Sequence, residues 1–330
     1  MSRRPGVRMD EGAVAVAARE GDEAAFGVLA ERYRRELRVH CYRMLGSFEE
    51  AEDLVQETFL RAWRGRATFQ GRATFRAWLY RIATNACLDH LDRHPRRPGT
   101  DEVPWLQPYP DRLLEPAGES GADVAVIGRE TVELAFLVAL QHLPPGQRAV
   151  LILRDVLGWP AKETAALLGT SGDSVKSALR RARATLRDHL PERRSEWVSP
   201  VASARERDLV RRFMEAHERS DAAALAKLLS EDVRMTMPPL PFTFAGREAV
   251  EAFAAHAFGP ESPLYRARWH SVPTRANRQP AVAGYIRAPG DTAYRAQVLN
   301  VLRVADGRIT DITVFEPRLF PAFGLPLTWP

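Results

Sequence analysis

The stretch Asp53-Leu-Val-Gln-Glu-Thr-Phe-Leu-Arg-Ala-Trp63 decides how the rest of the chain reads. Leu54, Val55, Thr58 and Ala62 recur at helical spacing and form one inward face. Asp53 and Glu57, four apart, share another face with Glu50 and Gln56, and Phe59 and Trp63 flank that acidic strip with apolar area. Ser47 followed by Glu50 is the capping box that starts this helix. Upstream, Phe26, Leu29, Tyr33, Leu37 and Cys41 make one face of a preceding helix. Downstream, a Gly- and Arg-containing loop over 64–74 leads to a third helix. It opens Phe75-Arg-Ala-Trp-Leu-Tyr-Arg-Ile-Ala-Thr-Asn-Ala86 and runs to about Arg93. Short connections between such helices predict an all-helical domain over 20–94.

Residues 95–129 carry six prolines, at 95, 98, 104, 108, 110 and 116, and read as an extended linker. Helical periodicity returns over 130–192. There Gly158-Trp-Pro-Ala-Lys-Glu-Thr-Ala-Ala-Leu-Leu-Gly169 leads into Ser174-Val-Lys-Ser-Ala-Leu-Arg-Arg-Ala-Arg183, a helix-turn-helix pattern. Trp159-Pro160 starts its first helix, with proline at a tolerated first-turn position. Ala165, Leu167 and Leu168 face inward, Gly169 makes the turn, and Ser171 caps the second helix. Between Val175 and Arg194 seven Lys or Arg stand against two acids, Asp188 and Glu192, a local basic patch. A chain of 330 residues has room for two or three domains, and a net charge of +5 permits a polyanionic partner without requiring one.

The two cysteines, Cys41 and Cys87, lie on helix faces far apart in sequence, with no spacing that would hold zinc. No apolar run approaches the ~18 residues of a membrane span, and the N-terminus lacks a signal-peptide core. The expectation is a reduced, cytoplasmic protein without metal or cofactor.

In this order and spacing, the acidic helix, the aromatic helix and the helix-turn-helix resemble bacterial sigma factors of the extracytoplasmic-function class, the promoter-reading subunits of RNA polymerase. The resemblance covers roughly residues 20–192 and implies sigma region 2 at 20–94 and region 4 at 130–192. No large third domain separates the two, which is what distinguishes this class from primary sigma factors; the linker would thread the polymerase channel instead. The implied partners are core polymerase and promoter DNA, with an anti-sigma factor as a further candidate. Glu50, Asp53, Gln56, Glu57, Phe59 and Trp63 would dock the basic coiled coil of the largest polymerase subunit by charge complementarity and aromatic anchoring. A solvated acidic helix face is the plain alternative for the same residues.

Opening a promoter requires aromatic surfaces, polar groups reaching base edges, and cations on phosphates. Phe69, Gly71, Arg76, Trp78, Tyr80, Arg81 and Asn85 supply all three types, and by the resemblance the loop and Asn85 would hold a flipped base of the minus-ten element. Trp78 and Tyr80 also sit at core spacing with Leu79 and Ala86, so either role is open to them. In the helix-turn-helix, Lys176, Ser177 and Arg180 are placed to reach base edges of the minus-thirty-five element. Ser174 opens the same segment, and Arg181 and Arg183 can reach phosphates. The family often carries Gly-Thr-Val-Lys-Ser-Arg here, whereas this chain has Asp173-Ser-Val-Lys-Ser-Ala178, which places a negative charge near DNA and removes one phosphate contact.

A short linker over 193–204 precedes a change of pattern. Helices at 205–218, 222–229 and 247–257 accompany alternating Val233, Met235 and Met237. Strand-like runs follow at 265–272, 281–287, 293–304 and 309–315, with Asp306-Gly307 as the turn of the last hairpin. Helices followed by a curling antiparallel sheet predict an α+β domain over 205–330. Leu229-Ser-Glu-Asp-Val-Arg-Met-Thr-Met-Pro238 and Asn277-Arg-Gln-Pro-Ala-Val-Ala-Gly284 resemble the SnoaL-like branch of the nuclear-transport-factor-2-like superfamily, a cone-shaped α+β fold around a pocket. Relatives that isomerise ketosteroids place a carboxylate base just before a proline, where this chain has Met237 before Pro238, so that chemistry is not expected. His256, His270 and Asp291 are candidate pocket residues. Met235, Met237, Phe242, Phe244, Trp269 and Tyr285 would line a pocket or fill a core. The predicted whole is multidomain: two all-α modules, then a SnoaL-like regulatory domain that could take a small ligand. A small-molecule enzyme tethered to DNA and a plain helix-turn-helix repressor are the competing readings. Met237 speaks against the first, and the acidic and aromatic helices against the second.

Overall fold

Helical periodicity and well-placed caps build the first part of the chain. α1 (Glu11–Glu20) and α2 (Glu23–Leu45) are followed by α3 (Phe48–Arg64) and α4 (Phe75–Arg93). α2 and α3 are joined by two residues only. Gly46, at φ +70°, closes α2 by donating to the Tyr42 carbonyl, and Ser47 opens α3 by accepting from the Glu50 N–H. A left-handed residue is needed at that point, and glycine meets the requirement at least cost. Four more helices are α5 (Leu134–Gln141), α6 (Pro145–Leu151, continued by a π turn over Ile152–Val156), α7 (Ala161–Leu168) and α8 (Gly172–His189). The computed structural model describes residues 11–71, 74–98, 103–114, 132–190 and 203–330. Residues 72–73 of the expected DNA-binding loop, much of the Pro-rich linker and almost all of the second linker lie outside the described residues.

The chain divides into two compact units, Met1–Arg96 with Leu143–Thr185, and Arg97–His142 with Leu186–Pro330. In the first, Leu29, Leu37, Cys41 and Leu45 of α2 are buried with Val55 and Ala62 of α3 and Leu79, Ala83 and Cys87 of α4. Each large aliphatic side chain among them contributes about 1.5–3 kcal/mol. His40 Nε2 and Thr84 Oγ1, 2.9 Å apart, tie α2 to α4. Burial, together with the nearby Arg43 and Arg76 charges, pushes the His40 imidazole down to about 3, so it is neutral at pH 7. α6 is fastened to α2 by Arg148, which is buried and donates to the Met44 carbonyl in the last turn of α2 and to Leu143 O at 3.0 Å. A guanidinium suits that helix end because the unpaired carbonyls there carry partial negative charge.

The second unit carries α9 (Ala204–Glu218), α10 (Ala222–Ala226) and α11 (Arg247–Phe258) with seven strands. These are β1 (Leu229–Met237), β2 (Leu240–Ala245), β3 (Arg268–Ala276), β4 (Gln279–Arg287), β5 (Tyr294–Ala305), β6 (Arg308–Phe315) and β7 (Thr328–Trp329). The sheet order is β2-β1-β6-β5-β4-β3, with β7 added on β5. It is mixed rather than wholly antiparallel as expected, because β1 and β6 run parallel. Those two strands are separated by most of the domain, so no hairpin fixes their relative direction. Asp306 and Gly307, both at positive φ, form the β5–β6 turn. At Gly284 in β4 an added Cβ would lie 3.0 Å from Val298 Cγ2 and 3.4 Å from the Trp269 ring, so glycine permits the close approach beside the β4–β5 bulge.

The described stretch 103–114 of the Pro-rich linker belongs to this second unit and packs on its sheet edge. Pro110 bridges to Ala276 at the end of β3. Asn277, at φ +54°, accepts from the Tyr109 N–H through Oδ1 at 2.8 Å and donates its own N–H to Tyr109 O at 2.9 Å. Its Nδ2 donates to Val132 O. Asp111 accepts from the Arg278 N–H at 2.8 Å and pairs with Arg275, whose Nη1 reaches Glu206 at 3.1 Å. Arg112 Nε donates to Ala322 O at 2.7 Å. Burial pushes the Asp111 carboxyl above its ordinary value against the opposing pull of the Arg278 N–H and Arg275.

Candidate nucleic-acid interface

On α3 the exposed face is narrower than the sequence suggests. Asp53 and Gln56 are exposed, and Asp53 has no partner among the described residues. Glu50 is turned away to Arg96, and its capping box is thereby half made: Ser47 caps the Glu50 N–H at 3.4 Å while the Glu50 carboxylate serves Arg96. Glu57 pairs with Arg61 at 2.8 Å, and Arg61 also reaches Asp89 at 2.9 Å; the Glu57 hydrogen bond leads in raising the Arg61 pKa. Phe59 is buried, with the Arg34 guanidinium 5.3 Å from its ring centre. Trp63 stays partly exposed, its ring edge-on to Phe26 at 5.2 Å and under Arg66 at 4.2 Å. Leu60, three and four residues beyond Glu57 and Gln56, is 51% exposed and lies on the Asp53–Gln56 face. The i, i+3, i+7 spacing from Asp53 would have revealed it.

The loop after α3 and the start of α4 gather rings. Phe69 lies 5.4 Å from both Phe75 and Trp78, and Phe75 and Trp78 are 5.4 Å from each other. Phe75 is buried, whereas Phe69 and Trp78 are half-buried. Arg81 and Asn85 follow Trp78 on the same exposed face of α4 and have no partners among the described residues. Gly71 is exposed and sits at φ +68°, a backbone conformation that glycine adopts at little cost. Two expected DNA ligands go elsewhere. Tyr80 is 1% exposed, packed at a tilt against His40 and Trp159, and donates to Glu36 at 3.2 Å. Arg76 is held by the same Glu36 at 2.7 Å. The buried face of α4 is wide enough to absorb Tyr80, and Glu36, forty residues upstream of Arg76, supplies the counter-charge.

The helix-turn-helix closes as expected at its turn. Pro160 is the N-cap rather than the first residue of α7, Ala165 and Leu167 are buried, and Gly169 ends α7 in the left-handed conformation. Ser171 Oγ accepts from the Ser174 N–H at 3.1 Å and meets Ser174 Oγ at 2.9 Å. Val175, Leu179 and Ala182 of α8 point inward. Lys176, Arg180, Arg181 and Arg183 are exposed, and Ser177 is half-buried. Lys176 pairs with the departing residue Asp173 at 3.2 Å, a fully solvated contact of little worth. Arg183 is bidentate to Asp155, 2.7 Å for each bond, which raises its pKa. Arg180, Arg181 and Arg187 are therefore the unengaged cations of this helix among the described residues.

In the C-terminal domain the pocket residues differ from those expected. Met235, Met237 and Trp269 do line a cavity, and so do His217 and Asn300, which the sequence did not single out. His256 and Asp291 are exposed, and His270 packs against Tyr294 and Trp329. Phe244 packs at a tilt against Phe253, Phe242 is exposed, and Tyr285 is buried with its hydroxyl donating to Pro326 O at 3.0 Å.

A helical bundle presenting Asp53, Gln56 and Leu60 on one helix and half-buried Phe69 and Trp78 beside Arg81 and Asn85, joined to a basic helix-turn-helix, defines a promoter-reading protein of the sigma-70 class. Residues 29–97 match Sigma-70 region 2, residues 133–186 match Sigma-70 region 4, and residues 210–312 match the SnoaL-like domain. The ECF RNA polymerase sigma factor SigG of Mycobacterium tuberculosis is 41% identical over 93% of this chain and 85% of its own length. SigE of Mycolicibacterium smegmatis is 36% identical over 53% of this chain and 66% of its own. The crystal structure of the M. tuberculosis extracytoplasmic function sigma factor SigJ superposes with a TM-score of 0.59 at 26% identity, covering 90% of this chain and 98% of that one. The chain belongs to the ECF RNA polymerase sigma factors.

Proposed function

We propose that this protein binds core RNA polymerase through the Asp53–Gln56–Leu60 face of α3. It holds an unpaired minus-ten base against Phe69, Trp78 and Asn85, and reads the minus-thirty-five element with Lys176, Ser177 and Arg180. Phosphate contacts come from Arg81 and Arg181, with Arg183 joining once Asp155 releases it. The observation that carries this reading is the cluster of half-buried Phe69 and Trp78 beside unengaged Arg81 and Asn85, since a surface for unpaired bases is needed for strand opening and not for repression.

The C-terminal domain acts as a regulator rather than an enzyme in this reading. Supporting it, the residue on the cavity wall at the position of an isomerase base is Met237, which cannot take a proton. The domain also grips 103–114, the segment that in sequence connects the two DNA-reading regions, so it is placed to control how far that segment can extend. The test is stoichiometric association with purified core polymerase by size-exclusion chromatography. The full chain is expected to co-elute with core, and Asp53→Lys combined with Leu60→Asp to elute apart from it. Undiminished association of the double variant would remove α3 as the docking face.

A further inference from the structure

Between the sheet and helices α9 and α11 of the C-terminal domain lies a cavity of about 310 Å³. Its walls are apolar, with Phe213, Met235, Val250, Trp269 and Ile312 among them. Polar side chains on those walls include Glu251, Gln297 and Glu316, which are partly or well exposed, and two that are buried, Asn300 and His217. Asn300 is 6% exposed and its Nδ2 has no acceptor, and His217 is 9% exposed with Nδ1 unpartnered. The His217 ring is fixed by aromatic neighbours, edge-on to Trp269 at 4.3 Å and to Phe258 at 5.5 Å. Buried polar groups left unpaired are uncommon in native proteins, and each calls for a partner that the chain itself does not supply. Two of them on the wall of one apolar space point to a guest with a polar atom.

The guest's charge follows from the wall. No Lys or Arg is among the lining residues, while Glu251 and Glu316 are. An anionic guest would therefore lose its hydration without gaining a counter-ion, beside two carboxylates. A cationic guest would need a buried carboxylate, but the buried polar groups are an amide and an imidazole that burial pushes down to about 4 and so keeps neutral. Its size follows from the volume. A cavity of about 150 Å³ accepts benzene, so one of twice that volume suits a molecule of about two rings.

We infer that this cavity is a binding site for a neutral, largely apolar molecule of about two-ring size, whose carbonyl or hydroxyl oxygen is received by Asn300 and His217. The inference rests on the C-terminal domain alone and stands or falls separately from the transcription reading.

Three compounds of one shape test it on the full chain by equilibrium dialysis: 2-acetylnaphthalene, which carries a ketone, naphthalene, and 2-naphthoate, which carries a charge. The ketone is expected to bind at least tenfold more tightly than either of the others. Asn300→Leu should reduce the ketone's advantage over naphthalene to about twofold while leaving naphthalene binding in place. Ala254→Trp, which fills the cavity, should abolish binding of both. If Asn300→Leu does not fold, His217→Phe replaces it, and the ketone-to-naphthalene ratio of the unaltered protein remains decisive. Absence of ketone binding, equal binding of 2-naphthoate, or an unchanged ratio in the folded variants would overturn the assignment.

Discussion

Asn277 holds Tyr109, 168 residues earlier in the chain, by both of its main-chain groups, accepting from the Tyr109 N–H at 2.8 Å and donating to its carbonyl at 2.9 Å. One side chain and one N–H thus complete a short edge interaction between the C-terminal sheet and the segment joining the two DNA-reading regions. Because the Asn277 amide also serves Val132 O, it ties together two points on either side of 115–131.

Replacing Asn277 separates its two contributions. Asn277→Gly keeps the left-handed backbone and its N–H bond and loses the side-chain bonds, leaving buried groups unpaired at a cost of about 1–3 kcal/mol. Asn277→Ala adds backbone strain of about 1 kcal/mol at φ +54°. Hydrogen exchange at Tyr109 should quicken in the order native, Gly, Ala. Equal rates in all three proteins would mean that Asn277 does not hold the segment.

Acid should loosen both units. The folded pKa of His40 is about 3 and that of His217 about 4, both below the ordinary value of 6.5. As pH falls below 6.5, the unfolded chain therefore takes up protons that the folded chain refuses. Stability is full above that value and is lost toward pH 4 for His217 and pH 3 for His40, at roughly 1.4 kcal/mol per pH unit for each. His217→Phe should flatten the pH dependence of melting for the C-terminal domain, monitored by near-ultraviolet circular dichroism. An unaltered slope would place the acid sensitivity elsewhere.

What could be read from the sequence was set by local signals. The periods of α3 and α4, the caps at Ser47 and Ser171 and the Asp306-Gly307 turn each depend on neighbours within a few residues, and each is present. What could not be read depends on distant partners. Glu50 is drawn off by Arg96 and Arg76 by Glu36, forty or more residues away, so residue type alone marked them as free for polymerase and DNA. The prolines of 103–114 suggest an extended linker, whereas this stretch includes a 3-10 turn over Asp111–Leu113, and nothing local announces that it pairs with Ala276–Arg278. His217 was legible in part, since it falls on the same helical face as Phe213, yet the strands that complete its cavity come later in the chain.

The cations of α8 should not be equivalent in promoter binding. Lys176→Ala and Arg180→Ala are expected to weaken binding by about 1–3 kcal/mol each if they contact base edges. Arg183→Ala should cost less, because Asp155 competes for the guanidinium, and Asp155→Ala should tighten binding by freeing it. Fluorescence anisotropy with a minus-thirty-five duplex at fixed salt ranks the four. An Arg183→Ala loss as large as that of Arg180→Ala would show that Asp155 yields without cost.

Phe69→Ala should separate binding from opening. Phe69 lies on the loop beyond the end of α3, not on its Asp53–Gln56–Leu60 face, and is half-buried against Phe75 and Trp78, so core association is expected to survive. Permanganate reactivity of minus-ten thymines should fall severalfold, since loss of a stacking platform costs about 1–3 kcal/mol per base. Normal reactivity would mean that this ring does not hold the base.

Run-off transcription with purified core polymerase on a pool of promoter DNA tests the central claim most directly. The account predicts transcripts that start at discrete promoters and require both core and this protein. Absence of transcripts, on a pool from which a control sigma factor does initiate, would contradict it.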